Sequence, residues 1–461
     1  VYKTILVSLF ALLLGNFASA DDLSDFLNAG HSSAIQLPPE KWGKTHADFF
    51  KFLDKQIEGK RVVFLGEAAH WVSEKYDYRL ILLNYLVGKG FRNIGMEMGL
   101  SDGARVDRFL QTGDASQLNR VALYGYHGSF VRDRLSAKSC GDEDKTNPEF
   151  AHRFGIEEKK FYSSLYQIGV DNGLKGKVRH FGFDIDTVPG GGYEDIQQIL
   201  GSRKSSSIIA IRKALKLVQN ENLDEEATRL GNALKLVDSH KNQLVIELGP
   251  VQFAKLRAHL ATLSSSFKFL AVFAAKPCDP AQLAEWTKTL LVAMAEREKV
   301  MFENFETKLQ QLGPDEKIVL MGHNFHLSKD PASLWFTSAV VPVTYAPSMW
   351  PSIGQFVSRD LSMPTFSIWM IHNRGTQSNI NCPTVSCLVE SKPGYLGQTL
   401  SNLGPVFALP LFAMPTDKLI YLNQRLNFGV NGGTYSGNVV RNTDMIFFVN
   451  DVTGLREGAL Q

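Results

Sequence analysis

Two acids and a histidine stand where an α/β fold would gather them. The segment RVVFLGEAAHWVSEKYDYRLILLNYLVGKGFRNIGMEMG, residues 61–99, ends two apolar runs in a carboxylate, Glu67 and Glu97, and places His70 three residues after the first. An imidazole, with an ordinary pKa of ~6.5, can take a proton from water at neutral pH. A neighbouring carboxylate can fix the ring and its tautomer, so His70 reads as a general base held by Glu67 or Glu97. A second group, Gly322-His323-Asn324-Phe325-His326, follows the apolar run 318–321, and a third acid, Asp184, closes the run 178–185.

The elements that would position these residues are legible in the periodicity. Residues 62–65 read as a buried strand, 76–87 as a helix with an apolar stripe and 93–98 as a second strand, a β-α-β unit whose strands are expected to be neighbours. Ligands of open α/β sheets bind beyond the carboxyl ends of the strands, where Glu67, His70 and Glu97 fall. Arg79 shares the stripe of Tyr76, Leu80, Leu83 and Val87, so it should pair with one of these carboxylates or aim at a substrate carbonyl.

Further along, residues 48–57 and 157–172 read as helices, and 101–147 as helix and loop over the site. The run 178–185 is a third strand, entering the loop Pro189-Gly190-Gly191-Gly192, which lacks the spacing of a phosphate cradle. Residues 201–276 are helical by period, an inserted subdomain that could act as a lid. Asp279-Pro280 starts a long helix and Gly313-Pro314 stops it. Arg297 lies on that helix's apolar face with Leu290, Met294, Met301, Asn304 and Phe305, a place for a charge paired with a buried acid. Further strands are expected at 318–321, 365–371 and 445–449. The fold class is therefore α/β, with a central, mostly parallel sheet flanked by helices and the helical insertion near the cleft.

The whole chain narrows the function. Its 461 residues carry 49 basic and 47 acidic side chains, a formal net charge of +2 that gives no electrostatic case for nucleic acid or an acidic surface. Lys3, the apolar run 5–14 and Ala18-Ser19-Ala20 before Asp21-Asp22 match a cleavable secretory signal. Residues 1–20 are thus expected to be removed, leaving 21–461 as one exported hydrolase domain, secreted or periplasmic, with no stable membrane insertion. In that setting Cys382 and Cys387 should close a small loop, with Cys140 and Cys278 as a possible long-range pair and free buried thiols as the alternative.

No G-x-S-x-G occurs, which argues against a serine hydrolase. Two Glu and three His could ligate zinc or manganese, yet there is no H-E-x-x-H and no paired C-x-x-C. No cofactor is expected, with a divalent metal as the alternative.

The motifs also resemble a known family. GEAAH with Glu74 and Arg79 downstream, the strand ending in Glu97, the Gly-x-Asp ending in Asp184, Arg297-Glu298 with Met301 and Asn304, GHNFH at 322–326 and the closing TDMIFFVNDVT are similar, in order and spacing, to erythromycin esterase-like proteins. The resemblance implies a histidine general base for lactone hydrolysis, here His70, in a cleft completed by Glu67, Glu97, Arg79, His323 and His326. Trp71, Glu74, Arg297 and Asp184 are then expected toward the substrate. Ala69 stands where the family usually has threonine, and Trp71 where it usually has glycine, so Trp71 could narrow the cleft. The implied partner is a small-molecule ester or lactone, antibiotic macrolides among them. The competing reading is a protein of the same fold that binds a small ligand such as haem.

Overall fold

The computed structural model describes residues 20–37, 47–70, 72–121, 149–185, 190–215, 222–275, 277, 279–338, 349–377, 387–428 and 433–455. Residues 1–19, Trp71, Cys140, Cys278, Cys382 and the side chain of Cys387 lie outside the described residues. The expected signal segment up to residue 19, the narrowing expected of Trp71 and both cysteine pairings fall there too.

In chain order, α1 (Ala20–Ser33), β1 (Ile35–Gln36) and α2 (Ala47–Ile57) precede β2 (Val62–Glu67), α3 (Glu74–Gly88), β3 (Phe91–Gly99), α4 (Leu100–Thr112), α5 (Glu149–Asp171) and β4 (Arg179–Asp184). Five helices follow, α6 (Gly190–Leu200), α7 (Ser206–Leu215), α8 (Leu223–Ser239), α9 (Lys241–Leu248) and α10 (Pro250–Ala274). The long α11 (Leu283–Leu309) returns the chain to β5 (Lys317–His323), β6 (Leu334–Ser338), β7 (Thr365–Gln377), β8 (Cys387–Glu390), β9 (Val406–Pro410), β10 (Leu426–Asn427), β11 (Gly433–Gly437) and β12 (Met445–Val452). Asp279 caps a 3₁₀ turn, Pro280–Gln282, that leads into α11, its carboxylate accepting from the Ala281 amide at 2.9 Å; the α-helix itself starts at Leu283.

Nine strands form the main sheet in the order β1-β9-β12-β7-β2-β5-β3-β4, with β8 paired to β7. From β12 to β4 the six strands run parallel, while β1, β8 and β9 pair antiparallel. The sheet is thus α/β and mostly parallel. One expectation is corrected: β2 and β3 are not neighbours, because β5 lies between them and pairs with both. The α3 crossover passes over a vacant position that a strand more than two hundred residues later fills, and local periodicity carries no trace of this. The smaller antiparallel sheet β10-β11-β6 was also not expected.

Every residue of β2 is buried, as a central strand covered on both faces requires. Val63 and Leu65 pack with α3 in one core, whereas Val62 and Phe64 pack with Met301 and Phe305 of α11 in another. Residues of α6 to α10 share a separate apolar core around Leu230, Leu256 and Phe267. Among the described residues, no helix is long and apolar enough to cross a membrane.

Candidate active site

Alternation along the strands sends the two acids to opposite faces. Glu67 continues the Val63–Leu65 side and meets α3; Glu97 lies opposite Met96 and Met98 and meets α11. Both close over the carboxyl edge of the sheet, with β5 between them. Two glycines permit this closeness. A methyl on Gly66 would collide with Asn324 Oδ1, and one on Gly322 would sit 3.0 Å from Glu97 Oε2.

On the first face, Glu67 is buried and held by cations. Its Oε2 lies 2.7 Å from Arg79 Nη1 and 3.4 Å from Lys75 Nζ, both side chains being fully buried. Burial pushes the Glu67 carboxyl up, but Arg79, then Lys75 and His70, outweigh it and hold it well below the usual carboxylate range. Its Oε1 lies 2.5 Å from His70 Nδ1. Lys75 also donates to the His70 carbonyl, so one cation fixes both ends of the turn. Burial lowers the Lys75 ammonium to about 8 against the opposing pull of Glu67.

On the second face, Glu97 gathers one backbone donor and two cationic side chains. The His323 amide reaches its Oε2 at 2.6 Å, while Arg297 Nη2 and His326 Nε2 each lie 3.2 Å from its Oε1. Burial raises this carboxyl, but His326, His70 and Arg297 keep it well below its ordinary value. Glu298 grips His326 from the other side through Nδ1, and accepts from the Ile353 amide at 2.9 Å. Between two buried carboxylates, His326 overcomes its burial and is raised to about 9, so it is an imidazolium at neutral pH. Arg297 is anchored by Asp184, with Nε donating to Oδ1 at 2.8 Å and Nη2 donating to Oδ2.

His323 has the opposite character. Burial, then the nearby His70, lowers it to about 3, so its ring is neutral. Its Nε2 donates to the Ala68 carbonyl at 3.0 Å, and the ring packs edge-on against His70 with centroids 5.3 Å apart. It therefore supports the turn carrying His70.

What remains for chemistry is His70. Its side chain is 25% exposed, against 1% for Glu67 and 3% for Glu97. With Nδ1–H donated to an anionic Glu67, the ring presents the Nε2 lone pair. Nε2 comes to 3.8 Å from Glu97 Oε1, beyond hydrogen-bonding range. An imidazolium formed by proton transfer would sit between two carboxylates. This is the geometry of a base oriented by one acid and flanked by a second.

Glu67, His70, Glu97, Arg79, Arg297, Asp184, His323 and His326 thus fall in one connected group. Arg79 takes the first of its two expected roles: fully buried against Glu67 and the Leu65 and Gly322 carbonyls, it pairs with the acid. One expectation is corrected. Glu74 does not join the group: its carboxylate accepts from the Thr453 amide at 2.9 Å and hydroxyl at 2.7 Å, tying the start of α3 to the residue after β12. Asp184 likewise serves Arg297 and the Ile185 amide.

Lys75 and Glu298 were not anticipated in the site. For Lys75 the signal was present, since it stands four residues before Arg79 and forms with it a cationic pair on the buried stripe. For Glu298, adjacency to Arg297 gave no indication of an imidazole partner. Among the described residues, no group of three or more His, Cys, Asp or Glu is arranged to hold a metal ion.

Comparison with known proteins agrees with this architecture. An erythromycin esterase type I of Escherichia coli is 24% identical over 311 residues, which are 64% of this chain and 68% of that protein. A crystal structure of a Bacillus cereus protein superimposes with a TM-score of 0.67 at 17% identity, covering 95% of this chain and 99% of the other. That of a succinoglycan biosynthesis protein gives 0.65 at 14% identity, covering 95% and 100%. A mutant of the erythromycin esterase EreC in its open conformation gives 0.56 at 16% identity, covering 93% and 99%. These likenesses establish a shared fold. Residues 172–452 match the erythromycin esterase family, a span that includes Asp184, Arg297, Glu298, His323 and His326 and begins after Glu67, His70, Lys75, Arg79 and Glu97. The chain therefore belongs to the erythromycin esterase family of hydrolases.

Proposed function

We propose that the protein hydrolyses a carboxylic ester or lactone of a small molecule, with His70 as the general base that activates water. The observation that carries this reading is the 2.5 Å contact between His70 Nδ1 and the buried, cation-held Glu67, which leaves Nε2 directed away from its anchor. Glu97 flanks the ring, while Arg297 and His326 balance its charge. General-base assistance of this kind contributes ~10²- to 10⁴-fold. The names of the relatives favour a lactone such as a macrolide within the substrate set, and the tryptophan at position 71 favours a narrower acyl or alcohol group.

The same reading needs no metal. Arg79 and Lys75 already supply positive charge to Glu67, and Arg297 and His326 supply it to Glu97, so a divalent cation would compete with them at close range. Export follows from the leader pattern at residues 1–20, and an oxidised Cys382–Cys387 pair from export.

A screen of macrolide lactones, simple lactones and chromogenic esters tests the activity. Turnover of at least one carboxylic ester or lactone by the purified chain is expected; turnover of none would remove the proposal.

A further inference from the structure

The stretch between β2 and α3 carries His70, and both of its ends are anchored by other elements. Near the strand, the Ala68 carbonyl accepts from His323 Nε2 at 3.0 Å. Near the helix, Val72 bridges to Gly454, and the Ser73 amide donates to the Thr453 carbonyl at 2.8 Å. The Ser73 hydroxyl stands at the N-cap position of α3 yet makes no cap there; it donates instead to Glu157 of α5 at 2.8 Å. His70 lies between these anchors, and its carbonyl accepts from Lys75.

Lys75 is placed where stability opposes it. Its side chain is fully buried, which is rare for lysine. It lies in the first turn of α3, where the helix dipole disfavours a cation. The equally buried Arg79 follows four residues later on the same face, a like charge. A methionine would fill the same space without any of these penalties.

What the ammonium reaches explains its place. Besides the His70 carbonyl it lies 3.4 Å from Glu67 Oε2, and it sits over the Tyr76 ring at 4.7 Å from the centroid. Glu158 of α5 also faces it, with the Tyr162 hydroxyl donating to that carboxyl at 3.2 Å. Burial raises Glu158 to about 8, so most of it is uncharged at neutral pH and Glu67 is the counter-ion of Lys75. Arg79 approaches Glu67 from the strand side, with the Leu65 and Gly322 carbonyls, and so holds the acid to the sheet. Holding the His70 main chain to that acid falls to Lys75.

We infer that Lys75 is a positioning residue for hydrolysis: its ammonium closes a triangle with the Glu67 carboxylate and the His70 carbonyl, fixing the base relative to the acid that orients its ring. This rests on His70 as the general base. Misplacing a catalytic group by about 1 Å costs up to ~10²-fold, and the loss falls on the chemical step.

Lys75→Met in the full chain tests this. On an ester or lactone that wild type hydrolyses, kcat should fall at least tenfold with KM within twofold. The urea midpoint should stay near wild type or rise, because Arg79 still pairs with Glu67 and methionine fills the buried space. A second readout needs no substrate. The His70 Nδ1 proton, in its 2.5 Å contact with Glu67, should give a far-downfield proton resonance that is absent in His70→Gln and moves upfield or broadens in Lys75→Met. If Lys75→Met does not fold, Lys75→Gln, whose amide stops one bond short of the His70 carbonyl, should show the same two changes. A kcat within twofold of wild type or an unmoved resonance in a folded variant would overturn the positioning role. Failure of both variants to fold would make Lys75 a residue of the fold alone and overturn it as well. Absence of turnover by wild type would remove the hydrolase reading, and the resonance would still decide the role of Lys75.

Discussion

Glu67 and His70 are joined at 2.5 Å through Oε1 and Nδ1, and the same carboxylate is held at 2.7 Å by Arg79 through its other oxygen. One acid thus couples a fully buried cation to a partly exposed base. The arrangement makes the charge on Glu67 a condition of both folding and orientation.

Glu67→Gln should therefore destabilise the fold. It keeps the side-chain shape but deprives buried Arg79 and Lys75 of the carboxylate they share, and breaking a buried ion pair costs ~3–5 kcal/mol. Urea unfolding should show a lower midpoint with an unchanged slope. A midpoint equal to wild type would show that the cations are satisfied without the acid.

His326 should give stability a pH dependence of known sign. Its folded pKa of about 9 exceeds the ordinary 6.5, so the folded state binds the proton more tightly than the unfolded. The contribution is fully present below pH 6.5 and is lost as pH rises through 9, a few kcal/mol on the scale of ~1.4 kcal/mol per unit. Lys75 and Glu158, each at about 8, titrate in the same window but are common to wild type and variant. The stability difference between wild type and His326→Gln should therefore shrink from pH 6.5 to 9, and a constant difference would contradict the imidazolium.

How far the sequence carried the account depends on the range of each interaction. The ends of β2 and β3 were legible because buried apolar runs close in an acid, and Arg79 was legible because a charge on a helix stripe must find a partner. The order of the strands was not, since β5 enters between β2 and β3 from more than two hundred residues away. For the same reason His323 and His326 could be named without their roles. Their opposite charge states follow from which carboxylates enclose them: Glu97 and Glu298 for His326, a backbone carbonyl for His323. Glu74 was misplaced because its partner, Thr453, lies at the far end of the chain.

Activity should survive excess chelator, and the pure protein should hold no stoichiometric metal. The reason is the cation set already pressed on Glu67 and Glu97. About one metal per chain, with activity lost on chelation and restored by that metal, would recast His70, His323 and His326 as ligands.

If the protein is exported as proposed, intact-mass analysis under thiol alkylation, with and without reductant, should show Cys382 and Cys387 joined. Alkylation of all four cysteines without reduction would sink the pairing.

The central claim is that His70 takes the proton from water. On the best ester or lactone found, kcat/KM of His70→Gln should fall by ~10²- to 10⁴-fold. Its urea midpoint should stay near that of wild type, because glutamine can still donate to Glu67. A kcat/KM within threefold of wild type in the folded variant would contradict the mechanism.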